Sequence, residues 1–91
     1  MSHIVVEREH TLGRAGAREK AQQLAERLAQ QYAVSYQWDG DTLEVKRAGA
    51  KGSITVNDHK VRVSLKLGLL LSGLSGTIQR EIEDALDKRL A

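Results

Sequence analysis

The sequence predicts an α+β fold in a single domain, residues 1–91, with the order β-α-β-β-β-β-α. A curved antiparallel sheet carries two helices packed on one face, a helix-grip-like arrangement. Three observations lead there. Four short segments between Val34 and Leu67 alternate apolar with polar residues and are separated by turn-forming residues. Two longer segments, Leu12 to Tyr32 and one ending near Leu90, repeat apolar residues at helical spacing. A chain of 91 residues holds one core and not two.

At the start, Ile4 and Val6 alternate with Val5 and Glu7 and mark a short first strand. Thr11 is the expected cap of the first helix, which opens at Leu12. Its apolar stripe is Ala17, Ala21, Leu24, Ala25, Leu28 and Tyr32, with Arg14, Arg18, Gln22, Glu26 and Gln30 away from it. The alanines allow this helix to lie close against a sheet.

Val34, Tyr36 and Trp38 alternate with Ser35 and Gln37 in the second strand, and Asp39-Gly40 supplies the hairpin turn. Leu43 and Val45 form the apolar side of the third strand, and Ala48 to Gly52 reads as a looser turn. Ile54 and Val56 follow in the fourth, then Asn57-Asp58 turns the chain again. The fifth strand alternates Val61, Val63, Leu65 and Leu67 with Lys60, Arg62, Ser64 and Lys66, and is expected to reach about Leu70. One sheet face is thus apolar and the other polar, as helices on a single face require. The first strand is placed beside the last, giving the order 2-3-4-5-1. A right-handed parallel crossover beside the second strand is the alternative. The last helix starts between Gly73 and Thr77, with Ser72 and Ser75 as candidate caps. It carries Leu74, Ile78, Ile82, Ala85, Leu86 and Leu90 on one side.

The composition excludes several classes of function. There are no cysteines, so disulfides and thiolate metal sites are absent, in keeping with a cytoplasmic location. The first eight residues meet charge too early for a secretory signal, and the Leu67–Leu74 run is far short of the roughly 20 residues of a spanning helix. The 14 Lys plus Arg against 12 Asp plus Glu leave the chain nearly balanced. One Trp, two Tyr and no Phe offer few rings for stacking on bases. The order helix, three strands, helix is shared with double-stranded RNA-binding domains, yet the second helix turns acidic where those place phosphate contacts. No nucleic-acid partner is expected.

No reaction centre emerges. His3, His10 and His59 have no second ligand at metal spacing and read as surface residues, with His10 the most notable at a strand-to-helix corner. Glu81, Glu83, Asp84 and Asp87 read as a solvated helix face, Asp84 reachable from Arg80 and Lys88. The chain is expected to be no enzyme and to take no cofactor or metal.

Two features remain. Alternation puts Lys46, Lys60, Arg62 and Lys66 on the polar sheet face with Ser53, Thr55 and Ser64, a locally basic surface with Glu44 nearby. The connector Leu67-Gly68-Leu69-Leu70-Leu71-Ser72-Gly73-Leu74 is the only strongly apolar run. Leu67, Leu71 and Leu74 close the core mouth in one reading. In the other, Leu69, Leu70 and Leu71 form an adhesive edge, open to a hydrophobic surface, a ligand or a second copy in a homodimer.

The ordered segments then point to a family. They are His10-Thr11-Leu12-Gly13, Leu24-Ala25-Glu26-Arg27-Leu28, Tyr36-Gln37-Trp38-Asp39-Gly40-Asp41-Thr42-Leu43 and Lys46-Arg47-Ala48-Gly49-Ala50-Lys51-Gly52. Val61-Arg62-Val63, Lys66-Leu67-Gly68-Leu69-Leu70-Leu71-Ser72 and Gly76-Thr77-Ile78-Gln79-Arg80-Glu81-Ile82-Glu83 complete the set. Nearly the whole chain resembles the small bacterial polyhydroxyalkanoic acid system family, also described as granule-region proteins. The resemblance implies a cytoplasmic protein linked to storage-polyester metabolism or its granules, and it carries no catalytic residues over. The resulting expectation is a non-enzymatic accessory protein that binds a polyhydroxyalkanoate granule or a granule-associated protein. Leu69, Leu70, Leu71 and Leu74 would supply apolar contact, with Lys60, Arg62 and Lys66 as a charged rim. The alternative is a helix-grip module holding an acyl chain between sheet and last helix.

Overall fold

The computed structural model describes residues 2–90. Its elements are β1 (Ser2–Glu9), α1 (Gly13–Tyr32), β2 (Ser35–Asp39), β3 (Thr42–Arg47), β4 (Ala50–Val56), β5 (Lys60–Leu67), a short 3-10 turn (Ser72–Leu74) and α2 (Ser75–Leu90). The five strands form one open sheet in the order β1-β5-β4-β3-β2, and every neighbouring pair is antiparallel. The first strand therefore lies beside the last, opposite Ile4 to Leu65 and Val6 to Val63. That register keeps four apolar side chains on the inner face; a slip of one residue would turn them outward.

The core fills the space between that face and the helices. From the sheet come Ile4, Val6, Leu43, Val45, Ile54, Val56, Val61, Val63, Leu65 and Leu67, all buried. From α1 come Ala17, Ala21, Leu24, Ala25 and Leu28, and from α2 Ile78, Ile82, Ala85, Leu86 and Leu90. Each fully buried Leu or Ile contributes roughly 1.5–3 kcal/mol relative to exposure.

Several boundaries differ from the sequence reading. Thr11 does not cap α1. The residue ahead of the helix is Leu12, and its N–H donates to His10 Nδ1 at 3.2 Å. His10 is accordingly buried, at 7 % exposure, and is no surface histidine. Its Nε2 lies 3.0 Å from the Asn57 carbonyl and its backbone N–H donates to the His59 carbonyl at 2.8 Å. One ring nitrogen accepts and the other donates, which defines the neutral Nε2–H tautomer. His10 thus joins the start of α1 to the β4–β5 turn.

Gly40-Asp41, not Asp39-Gly40, forms the two-residue loop between β2 and β3, since Asp39 pairs with Thr42. The β3–β4 loop is Ala48-Gly49 alone, because Arg47 pairs with Ala50. Gly52 therefore lies within β4, between Val45 and Leu65 on the neighbouring strands. A Cβ there would run into the Ser64 carbonyl and the Leu65 backbone, so β4 and β5 depend on a residue with no side chain.

β5 stops at Leu67 and does not reach Leu70. Ala50, the partner of Leu67 on β4, is the first residue of its strand, so that ladder does not continue beyond it. The Gly68 N–H instead donates to the Gly49 carbonyl at 2.8 Å, and the chain turns. α2 begins at Ser75, within the expected interval. Neither candidate serine stands ahead of the helix as its cap. Ser72 Oγ donates to the Leu69 carbonyl at 3.2 Å, and Ser75 already has helical backbone angles. Leu74 falls in the 3-10 turn, half exposed, and not on the buried side of α2.

α1 ends on Ala33, whose φ of 58° is left-handed. No basic residue lies in the last turn of α1. Arg47 of β3 supplies the charge from outside, donating to the Tyr32 carbonyl at 2.7 Å, where the helix dipole favours a cation.

Candidate partner-binding surface

Gly68, released from the strand ladder, organises the connector. Its carbonyl accepts the N–H groups of Leu71 and Ser72 at 3.1 and 3.0 Å, and the Leu71 carbonyl accepts that of Leu74 at 2.9 Å. This closed turn holds Leu69 and Leu70 outward at 84 % and 87 % exposure. Leu71 turns the other way and packs half-buried against the core, beside Gly49. The two sequence readings divide residue by residue: Leu67 and Leu71 close the core, while Leu69, Leu70 and in part Leu74 face outward.

The three basic residues assigned to the rim are not together. Lys66 adjoins the leucine turn, flanked across the sheet by His3 and Lys51. Lys60 starts β5, six residues or roughly 20 Å of strand away. Its ammonium is 3.3 Å from Glu7. Arg62 lies between them, opposite Glu7 on one side and Thr55 on the other.

The register assembles a different basic group. Across the outer face, His3, Lys66, Lys51, Lys46 and Ser35 form one row of directly opposed residues on five strands. No carboxylate belongs to it; Glu44 stands in the next row, opposite Ser53. Among the described residues the ion pairs engage Arg8, Arg14, Arg18 and Lys60, and none engages Lys46, Lys51 or Lys66. His3, Lys51 and Lys66 also line an open concavity of about 540 Å³ together with Arg47, Gly49 and Gly68. Lys51 was hidden in the sequence because Ala48 to Gly52 reads as a loop. A two-residue turn at Ala48-Gly49 is the signal that would have placed Lys51 opposite Lys46.

Several other polar groups tie elements of the fold together. Arg8 Nε donates to Asp87 at 2.8 Å and its guanidinium reaches Glu83 at 3.6 Å, tying β1 to α2. The hydrogen bond to Asp87, with the charges of Asp87 and Glu83, raises the guanidinium pKa despite partial desolvation. The acidic face of α2 is thus partly engaged, and by Arg8, not by Arg80 or Lys88. Tyr32 Oη donates to Glu81 at 3.0 Å; burial first, then that bond and its charge, raise the phenol above its ordinary value. Arg18 stacks 4.0 Å from the centre of the Trp38 ring and pairs with Asp41, while Trp38 Nε1 donates to Gln22. Among the described residues, no three of His, Cys, Asp or Glu are grouped to hold a metal ion. The apolar space between Leu28, Tyr32, Leu65, Leu71 and Ile78 is about 20 Å³, far below the roughly 300 Å³ or more of small-molecule sites. No helix of the described residues is long and apolar enough to cross a membrane.

No curated protein and no solved structure matches this sequence. The sequence model of the polyhydroxyalkanoic acid system proteins does match, over residues 4–90, and so spans both helices, β2 to β5, the leucine turn and all but the first two residues of β1. On that match the chain belongs to the polyhydroxyalkanoic acid system protein family.

Proposed function

We propose that this protein is a non-enzymatic accessory factor of polyhydroxyalkanoate storage, acting in the cytoplasm. It binds the granule surface or a granule-associated protein through the leucine turn. The observation that carries this reading is the outward position of Leu69 and Leu70 on a turn closed by its own hydrogen bonds. Burial of two such side chains against a partner is worth roughly 3–6 kcal/mol before the costs of association. Family membership supports the connection with the polyester. Sedimentation of the purified protein with washed polyester granules, at low and high salt, tests it. Binding that survives high salt supports apolar contact through the leucines, since exposed charges are screened there. Absence of binding at both salts, to granules retaining their proteins as well as to stripped ones, would sink the proposal.

A further inference from the structure

The lysine row is unexplained by the fold. Lys66, Lys51 and Lys46 are direct cross-strand neighbours, and like charges so placed oppose sheet formation. Strands sit about 4.8 Å apart, so the three ammonium groups and His3 cover a band of roughly 15 Å. The row lies at the end of the sheet where β5 gives way to the turn bearing Leu69 and Leu70. Cationic and apolar groups therefore share one end of the molecule. A partner offering anions alone would leave the leucines in water, and a purely apolar partner would strip water from the lysines with no compensation. An anionic lipid–water interface meets both demands, with headgroup phosphates for the lysines and acyl chains beneath them for the leucines.

We propose that this end of the protein docks on an anionic phospholipid surface, Lys46, Lys51 and Lys66 contacting headgroup phosphates while Leu69 and Leu70 enter the acyl layer. The inference rests on the leucine turn being a contact element, as in the proposed function, but assigns the lysines and the chemistry of the surface independently. Each lysine near such a surface improves binding about fivefold at moderate salt, so the three together account for on the order of a hundredfold.

Vesicle sedimentation tests it, with phosphatidylcholine alone and with phosphatidylcholine mixed with phosphatidylglycerol. The protein is expected to sediment with the mixed vesicles, weakly or not with the neutral ones, and less as salt rises. The variant Lys46→Ser/Lys51→Ser/Lys66→Ser is expected to lose on the order of a hundredfold in affinity. A control removing three charges from the helices, Lys20→Ser/Arg27→Ser/Lys88→Ser, should keep most of the binding. Circular dichroism establishes that each variant is folded, and the single change Lys51→Ser, expected to lose about fivefold, serves if the triple variant is not. Equal binding to both vesicle types, or equal loss from the row and control variants, would overturn the proposal. So would binding of a single-stranded oligonucleotide or an acidic protein by the row without any vesicle binding. Vesicle binding without granule binding would sink the proposed function alone; granule binding without vesicle binding would sink this inference alone.

Discussion

Lys66 faces Lys51 directly across the β4–β5 pair, and Lys51 in turn faces Lys46 across β3–β4. Two like charges in direct opposition destabilise a sheet by roughly 0.2–1 kcal/mol, more at low salt. Lys51→Glu should therefore stabilise the fold by about that amount, since it gains two lysine neighbours of opposite sign. Urea unfolding at low and at high salt checks this. Stabilisation that shrinks with salt is expected; a variant less stable than the parent at low salt would show that the row carries no strain.

His10 ties the start of α1 to the β4–β5 turn. Replacing it with alanine removes two part-buried hydrogen bonds, to the Leu12 N–H and to the Asn57 carbonyl. The expected loss is roughly 1–3 kcal/mol. Nitrogen-15 chemical shifts of the ring should show a protonated Nε2 and an unprotonated Nδ1. The opposite tautomer would contradict the arrangement at the start of α1.

Tyr32 makes stability depend on alkaline pH. Its phenol is raised above the ordinary 10.0, chiefly by burial. The folded state therefore holds the proton more tightly than the unfolded state. The resulting stability is full below the unfolded value, near pH 10, and is lost as pH rises through the higher folded value. Tyr32→Phe should cost roughly 0.5–1.5 kcal/mol at neutral pH by losing the bond to Glu81, and should flatten the alkaline fall. Parallel alkaline profiles for the two proteins would refute this assignment.

Ala33 adopts a left-handed backbone that costs a residue with a Cβ roughly 1–2 kcal/mol. Ala33→Gly should recover about 1 kcal/mol of it, less the extra freedom gained by the unfolded chain. Arg47→Ala should act in the other direction, because it removes the cation from the end of α1. Thermal unfolding of both variants decides. A destabilised Ala33→Gly would show that the left-handed residue is not strained.

Much of this architecture could be read from the chain, because apolar alternation and helical spacing report directly on which face is buried. Val61, Val63, Leu65 and Leu67 placed β5 and its inner face, and Ala17 to Leu28 placed the stripe of α1. The strand order 2-3-4-5-1 was legible as well, but the ends of the strands and their exact register were not. The end of β5 depends on where its neighbour β4 begins, so Gly68 to Leu70 read as strand although β4 offers no partner beyond Ala50. His10 read as a surface residue because its partners, Asn57 and His59, are distant in sequence. The candidate surface divided along the same line. Exposure of Leu69 and Leu70 follows from the turn at Gly68. The row linking Lys66 to Lys51 and Lys46 exists only in the register and has no counterpart in sequence proximity.

The central claim is that the leucine turn is the contact element. Its most direct test is granule sedimentation of the Leu69→Ser/Leu70→Ser variant beside the parent protein. Both side chains are exposed, so the variant should keep its melting temperature within a few degrees. The account predicts a folded variant that remains in the supernatant while the parent sediments. A folded variant that sediments with granules as well as the parent would contradict it.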